Sequence, residues 1–130
     1  MKKLIIIILI GITFAGCEDI KSIRELEKPS PEAVQTNLVV IDDNGFNPSE
    51  IILTVGEELR FTNITKIPIT IYSDPHPDHN QLRLFNLGPI FKDQSTSYKF
   101  DNAGVFGIHS EENPSIKAKI FVQSNAPLQK

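Results

Sequence analysis

Three histidines, His76, His79 and His109, and the carboxylates Glu111 and Asp74 near them are the side chains best able to do chemistry. Three neutral imidazoles suffice to hold Cu(II) or Zn(II), and an oxygen from Glu111 or Asp74 would complete a nitrogen and oxygen donor set suited to those ions. His76 and His79 are three apart in a loop where Pro75 and Pro77 restrict φ, so fixing them around an ion would cost less chain entropy. His109 and Glu111 share strand parity and would point the same way. The inner face of that strand is set by Phe106 and Ile108, which turns His109 away from the core unless the strand ends or bends there. A plainer reading stays open beside this one. In it His76 and His79 are exposed loop residues, Asp74 makes an Asx-type turn before Pro75, and His109 sits on a strand surface.

Other chemistries are excluded by what the chain lacks. The single cysteine removes disulfide frameworks, zinc knuckles and dithiol redox couples. It lies at Cys17, behind Met1-Lys2-Lys3, an aliphatic run from Leu4 to Ile12, and Thr13-Phe14-Ala15-Gly16. The apolar stretch, about 12 residues when carried on to Ala15, falls short of the roughly 20 needed to span hydrocarbon as a helix, so it reads as a cleaved export signal. Phe14-Ala15-Gly16-Cys17 resembles a bacterial lipobox, which implies lipidation of Cys17 and attachment to the outer face of the cytoplasmic membrane, or a periplasmic location. Ser110 lies beside His109 and near Glu111 and Glu112, but neighbours on a strand face opposite ways, so no catalytic triad forms. Glu57-Glu58 and Glu111-Glu112 read as solvated pairs, no glycine-rich phosphate loop occurs, and the chain is not expected to be an enzyme. The 13 Lys and Arg are scattered among 16 Asp and Glu, which excludes nucleic acid as a partner. Without Lys2 and Lys3 the mature charge is about −5, so membrane attachment must come from acyl chains and not from a basic patch.

The elements that must position the histidines are strands. Over 130 residues, 40% hydrophobic with nine Pro and seven Gly, one all-β domain is expected. Residues 1–16 read as the lipoprotein signal, 17–35 as the lipidated cysteine and a polar tether, 36–124 as the domain and 125–130 as a tail. Period-two alternation marks Leu38 to Ile41, Ile51 to Val55, Leu59 to Asn63, Ile67 to Ile71, Ser97 to Phe100, Val105 to His109 and Ile116 to Val122. Residues 73–95 read as irregular. About seven strands at this spacing suit a Greek-key β-sandwich.

Gly45-Phe46-Asn47-Pro48, Ile52-Leu53-Thr54-Val55-Gly56-Glu57 and Leu59-Arg60-Phe61-Thr62-Asn63, followed by Phe100-Asp101-Asn102-Ala103-Gly104-Val105-Phe106 and Asn113-Pro114-Ser115-Ile116-Lys117-Ala118, resemble cupredoxin domains in order and spacing. The resemblance implies a copper-binding sandwich. It places Ile69, Ser110, Asn113 and Ile116 where a blue-copper protein has its two histidines, cysteine and methionine, so a type 1 electron carrier is excluded. Ser73-Asp74-Pro75-His76-Pro77-Asp78-His79 and His109-Ser110-Glu111-Glu112-Asn113-Pro114 resemble small exported cupredoxin-like proteins with a sulfur-free, histidine-rich set. That implies copper or another transition metal held by His76, His79, His109 and Glu111, with Ile69 and Glu111 standing where the group has two more histidines. The alternative expectation is a metal-free surface module that meets a protein partner through the apolar end formed by Ile69 and Ile116.

Overall fold

The computed structural model describes residues 27–125, which are all-β and contain no helix. The signal segment, Cys17, the tether up to residue 26 and residues 126–130 lie outside the described residues. The strands in chain order are β1 (Val34–Gln35), β2 (Leu38–Asp42), β3 (Gly45–Asn47), β4 (Glu50–Thr54), β5 (Glu58–Asn63), β6 (Ile69–Ser73), β7 (Asn86–Ile90), β8 (Ser95–Lys99), β9 (Gly104–Ser110) and β10 (Lys117–Gln123). One sheet runs β1-β4-β10-β9-β6-β7 and the other β3-β2-β5-β8. Pairings β1–β4, β4–β10 and β2–β5 are parallel and the rest antiparallel.

Alternation along each strand decides which side chains meet between the sheets. Val39 and Ile41 of β2 and Leu59 and Phe61 of β5 pack against Ile51, Leu53, Ile69, Ile71, Ile108, Ala118, Ile120 and Val122 of the larger sheet. Each fully buried Ile, Leu or Phe contributes about 1.5–3 kcal/mol. Phe85, Tyr98, Phe100 and Phe106 continue this interior as a chain of rings with centroids 4.8, 5.0 and 5.8 Å apart.

Ten strands form where about seven were expected, because three carry no alternation to read. β1 has two residues and β3 three. β1 belongs to the stretch read as tether, yet Val34 and Gln35 pair with Ile51 and Ile52. Just before it, Ser30 N–H donates to Glu50 Oε2 at 3.1 Å, and the bonds from Ser30 hold the Glu50 carboxyl below its usual range. β7 lies inside the expected irregular region. It contains Gly88-Pro89, and its pairing with β6 shifts register between Ile69 and Ile71. Gly88 has φ 148°, and a Cβ there would stand 2.8 Å from the Ile69 carbonyl oxygen, so the shift requires glycine.

Asn63 shares the inward parity of Leu59 and Phe61 and is fully buried. Its Nδ2 donates to the carbonyls of Ile67 and Ile90, both at 2.8 Å, and its Oδ1 accepts from Thr65 N–H at 2.8 Å. One amide thus ties the turn leading into β6 to the end of β7. Asn63→Ala removes the side-chain partners of the Ile90 carbonyl and the Thr65 N–H, while the Ile67 carbonyl keeps the Thr65 hydroxyl at 2.9 Å, and is expected to destabilise the domain by about 3 kcal/mol. Urea unfolding measures this, and a loss below about 0.5 kcal/mol contradicts the assignment.

Candidate metal centre

His109 faces away from the sandwich core, as its parity requires, but it is not a surface residue. On β9, Ile108 and Ser110 point inward and His109 outward, in register with Tyr72 of β6 and Lys117 of β10. Residues 74–82 fold back over this outer face, and His109 is left with 0% exposure. The loop is pinned at both ends. Asp74 N–H donates to the Gly107 carbonyl at 2.9 Å, and Leu82 N–H donates to Ser73 Oγ at 3.1 Å. His79 N–H closes a turn on the Pro75 carbonyl at 2.7 Å. His79 itself has φ 49°, a left-handed conformation that costs a non-glycine residue roughly 1–2 kcal/mol. Its ring lies on Tyr72 with centroids 4.2 Å apart and planes within 10°.

The three imidazoles converge. Centroid separations are 5.3 Å for His76 and His79, 5.4 Å for His76 and His109, and 5.1 Å for His79 and His109. One donor atom from each, with one Glu111 carboxylate oxygen, all lie within 4.8 Å of one another. His76 Nδ1 and His79 Nε2 are 3.3 Å apart, and Glu111 Oε2 is 3.5, 3.3 and 3.9 Å from His76 Nδ1, His79 Nε2 and His109 Nε2. Tetrahedral ligands at 2.0–2.1 Å from zinc are about 3.3 Å from one another, so this is a metal-sized cage. His109 Nε2 and Glu111 Oε2 are buried atoms without a hydrogen-bond partner. The cage opens on one side, where the His76 and Glu111 side chains are 38% and 39% exposed.

Glu111 is held in place through Thr70. Its N–H donates to the Thr70 carbonyl at 2.9 Å, while Thr70 N–H donates to the Glu112 carboxylate at 2.9 and 3.0 Å. Ser110 Oγ also donates to Glu112, at 3.0 Å. Partial burial pushes the Glu112 carboxyl up, but the bonds from Thr70 and Ser110 outweigh it and leave it below the usual range. The Ser110 hydroxyl is therefore bonded to Glu112, with its strand neighbour His109 on the opposite face of the sheet.

The four positions that the resemblance matches to blue-copper ligands lie elsewhere. Ile69 and Ser110 face the interior, 5% and 1% exposed, and with Ile116 they line a pocket of about 210 Å³ beside Ile41, Thr65 and Ile67. Asn113 Oδ1 accepts from Ser115 Oγ at 2.6 Å. Two aliphatic chains, a hydroxyl and an amide do not fit a copper ion. Ile69 belongs to the core, while Ile64 and Ile67 are the exposed apolar residues near this end. The histidine cage occupies the opposite face of the same sheet.

The structure brings His76, His79, His109 and Glu111 to one place, and the sequence offers Asp74 as an oxygen ligand or an Asx turn. Asp74 is neither. Its Oδ1 accepts from His109 Nδ1–H at 2.7 Å, on the far side of that ring from the cage. Tyr72, Gln81 and Gly107 were missed; Tyr72 and Asp74 alternate with inward Ile71 and Ser73, a parity that signals the outer face.

No protein-family model matches this sequence, and no curated protein sequence does. Solved structures do match. A purple cupredoxin from Nitrosopumilus maritimus superimposes with a TM-score of 0.60 at 20% identity, covering 68% of this chain and 100% of that one. A reduced tryptophan-to-tyrosine variant of amicyanin gives 0.58 at 23% identity, covering 72% and 85%. A Cu(I) form of another amicyanin variant gives 0.58 at 21%, covering 69% and 86%. The described domain has the cupredoxin fold, with a cluster of three histidines and a glutamate on the outer face of its larger sheet.

Proposed function

We propose that this protein is a membrane-tethered, extracytoplasmic cupredoxin-like metal binder that holds one transition metal ion, copper(II) or zinc(II), through His76, His79, His109 and Glu111. It stores or delivers the ion and is neither a type 1 electron carrier nor an enzyme. The observation that carries this reading is the pair of buried polar atoms, His109 Nε2 and Glu111 Oε2, 3.9 Å apart and each without a hydrogen-bond partner. An unpaired buried polar atom costs about 1–3 kcal/mol, and a cation between the two would offset that cost at both. Two further imidazole nitrogens complete four donors at ligand spacing.

Lipidation of Cys17 would use the only thiol in the sequence, leaving an all nitrogen and oxygen site. A bound ion would be reached from the open side, past His76 and Glu111. His109 at the base would be the buried anchor, and its position on β9 would keep the site rigid in the metal-free protein.

Copper(II) titrated into protein purified without a histidine tag is expected to give an electron paramagnetic resonance spectrum with nitrogen couplings and no intense thiolate-to-copper absorption. Replacing His76, His79 and His109 together with alanine should abolish it, and an unaltered spectrum would contradict the assignment. Zinc at a hundredfold excess over its Kd should stabilise the domain by about 2.7 kcal/mol, read as a rise in Tm absent from the triple variant. Cys17→Ser should move the protein from the membrane fraction to the soluble exported fraction, whereas retention on the membrane would argue for another anchor.

A further inference from the structure

A histidine can serve a metal only through a nitrogen that carries no proton, and a neutral imidazole has two ways to place its one proton. For His109 this choice is decisive, since the ring is fully buried and only Nε2 faces the cage. We propose that Asp74 is a positioning residue of the metal centre: it holds the His109 proton on Nδ1 and so presents Nε2 as a bare donor. Gly107 is the residue that gives Asp74 room to do this. The inference rests on the metal reading above and deepens it.

The Asp74 carboxylate reaches His109 Nδ1 at 2.7 Å, the length of a charge-assisted bond. With Asp74 as acceptor, Nδ1 must be the donor, which leaves the lone pair on Nε2. The carboxylate is fixed by its main chain on both sides. Asp74 N–H donates to the Gly107 carbonyl at 2.9 Å, and the Asp74 carbonyl accepts from Gln81 N–H at 3.0 Å. Gln81 Oε1 in turn accepts from Gly107 N–H, closing a ring of contacts between the loop and β9. Lys117 Nζ stands 3.8 Å from Asp74 Oδ1 and balances its charge.

Gly107 is needed here for space and not for backbone conformation. A Cβ at this position would press into Asp74 Oδ2 well inside van der Waals contact, with Asp74 Cγ at 3.0 Å and Asp74 Cβ at 3.2 Å. Any larger residue must push the Asp74 side chain out of this position beside His109. Outer-sphere carboxylates of this kind orient a ligand imidazole and raise its basicity, and their loss typically costs 10–100-fold in metal affinity.

The test uses metal-free, 15N-labelled protein. Long-range proton–nitrogen correlation identifies which His109 nitrogen is protonated, and competition with a chromophoric chelator gives the zinc affinity. Wild type should show the proton on Nδ1. Asp74→Ala should lose that single tautomer and bind zinc about 10–100-fold more weakly. Asp74→Asn loses the charge and can turn its amide NH2 toward Nδ1, so it should weaken the preference for the Nδ1 proton and bind zinc less tightly than wild type. Gly107→Ala should behave like Asp74→Ala although the carboxylate is still present, and it decides the matter independently should Asp74→Ala fail to fold. The proposal is overturned if either alanine variant keeps the Nδ1 proton and binds zinc within twofold of wild type. If wild type binds no zinc, the metal reading fails alone, because the tautomer comparison still tests Asp74 without any metal.

Discussion

An imidazole enclosed by protein must have both nitrogens satisfied, and His109 is given only one partner. Asp74 takes the Nδ1 side at 2.7 Å, while Nε2 points at Glu111 Oε2, another acceptor. With the His109 proton held on Nδ1, as proposed above, two lone pairs would face each other in a buried space, which is unfavourable unless something positive lies between them. The loop over residues 74–82, the two prolines within it, the stacking of His79 on Tyr72 and the Thr70 clamp on Glu111 and Glu112 all serve to keep that arrangement assembled. Apart from the Leu82 bond to the inward Ser73, these contacts lie outside the interior of the sandwich.

The separation has a consequence for how this fold is used. The interior face of β9 and β6 carries Ile108, Ser110, Ile69 and Ile71, and it holds the two sheets together. The position at which the fold resemblance would seat copper is filled on this inner side by aliphatic carbon. The proposed centre stands on the other side of the same two strands, built from residues whose removal leaves the hydrophobic core untouched. Strand alternation alone allows this, since adjacent residues such as His109 and Ser110 serve opposite faces. A donor on a paired strand, as His109 is, inherits the strand's rigidity and can stand at ligand position before any ion arrives.

Much of this was legible in the sequence. The alternation in Leu59-Arg60-Phe61-Thr62-Asn63 and in Ile116 to Val122 marked strands and their inward faces, and the motif order pointed to the cupredoxin fold. The outward direction of His109 was also readable from Phe106 and Ile108. What parity could not supply was the cover. Outward on a strand ordinarily means toward water, and only the return of residues 74–82 across the sheet converts that direction into full burial. The role of Asp74 was hidden for the same reason, since its distance from His109 in sequence is 35 residues. β7 was hidden because a register shift at a glycine and a proline erases the alternation by which strands are recognised.

X-ray absorption on the zinc-loaded protein tests the central claim most directly, because it reads the donors themselves. The account predicts only nitrogen and oxygen neighbours at about 2.0–2.2 Å, with the multiple-scattering pattern of three imidazoles and none left after replacement of His109, His76 and His79. A sulfur neighbour at about 2.3 Å, or a spectrum with fewer than three imidazoles, would contradict it.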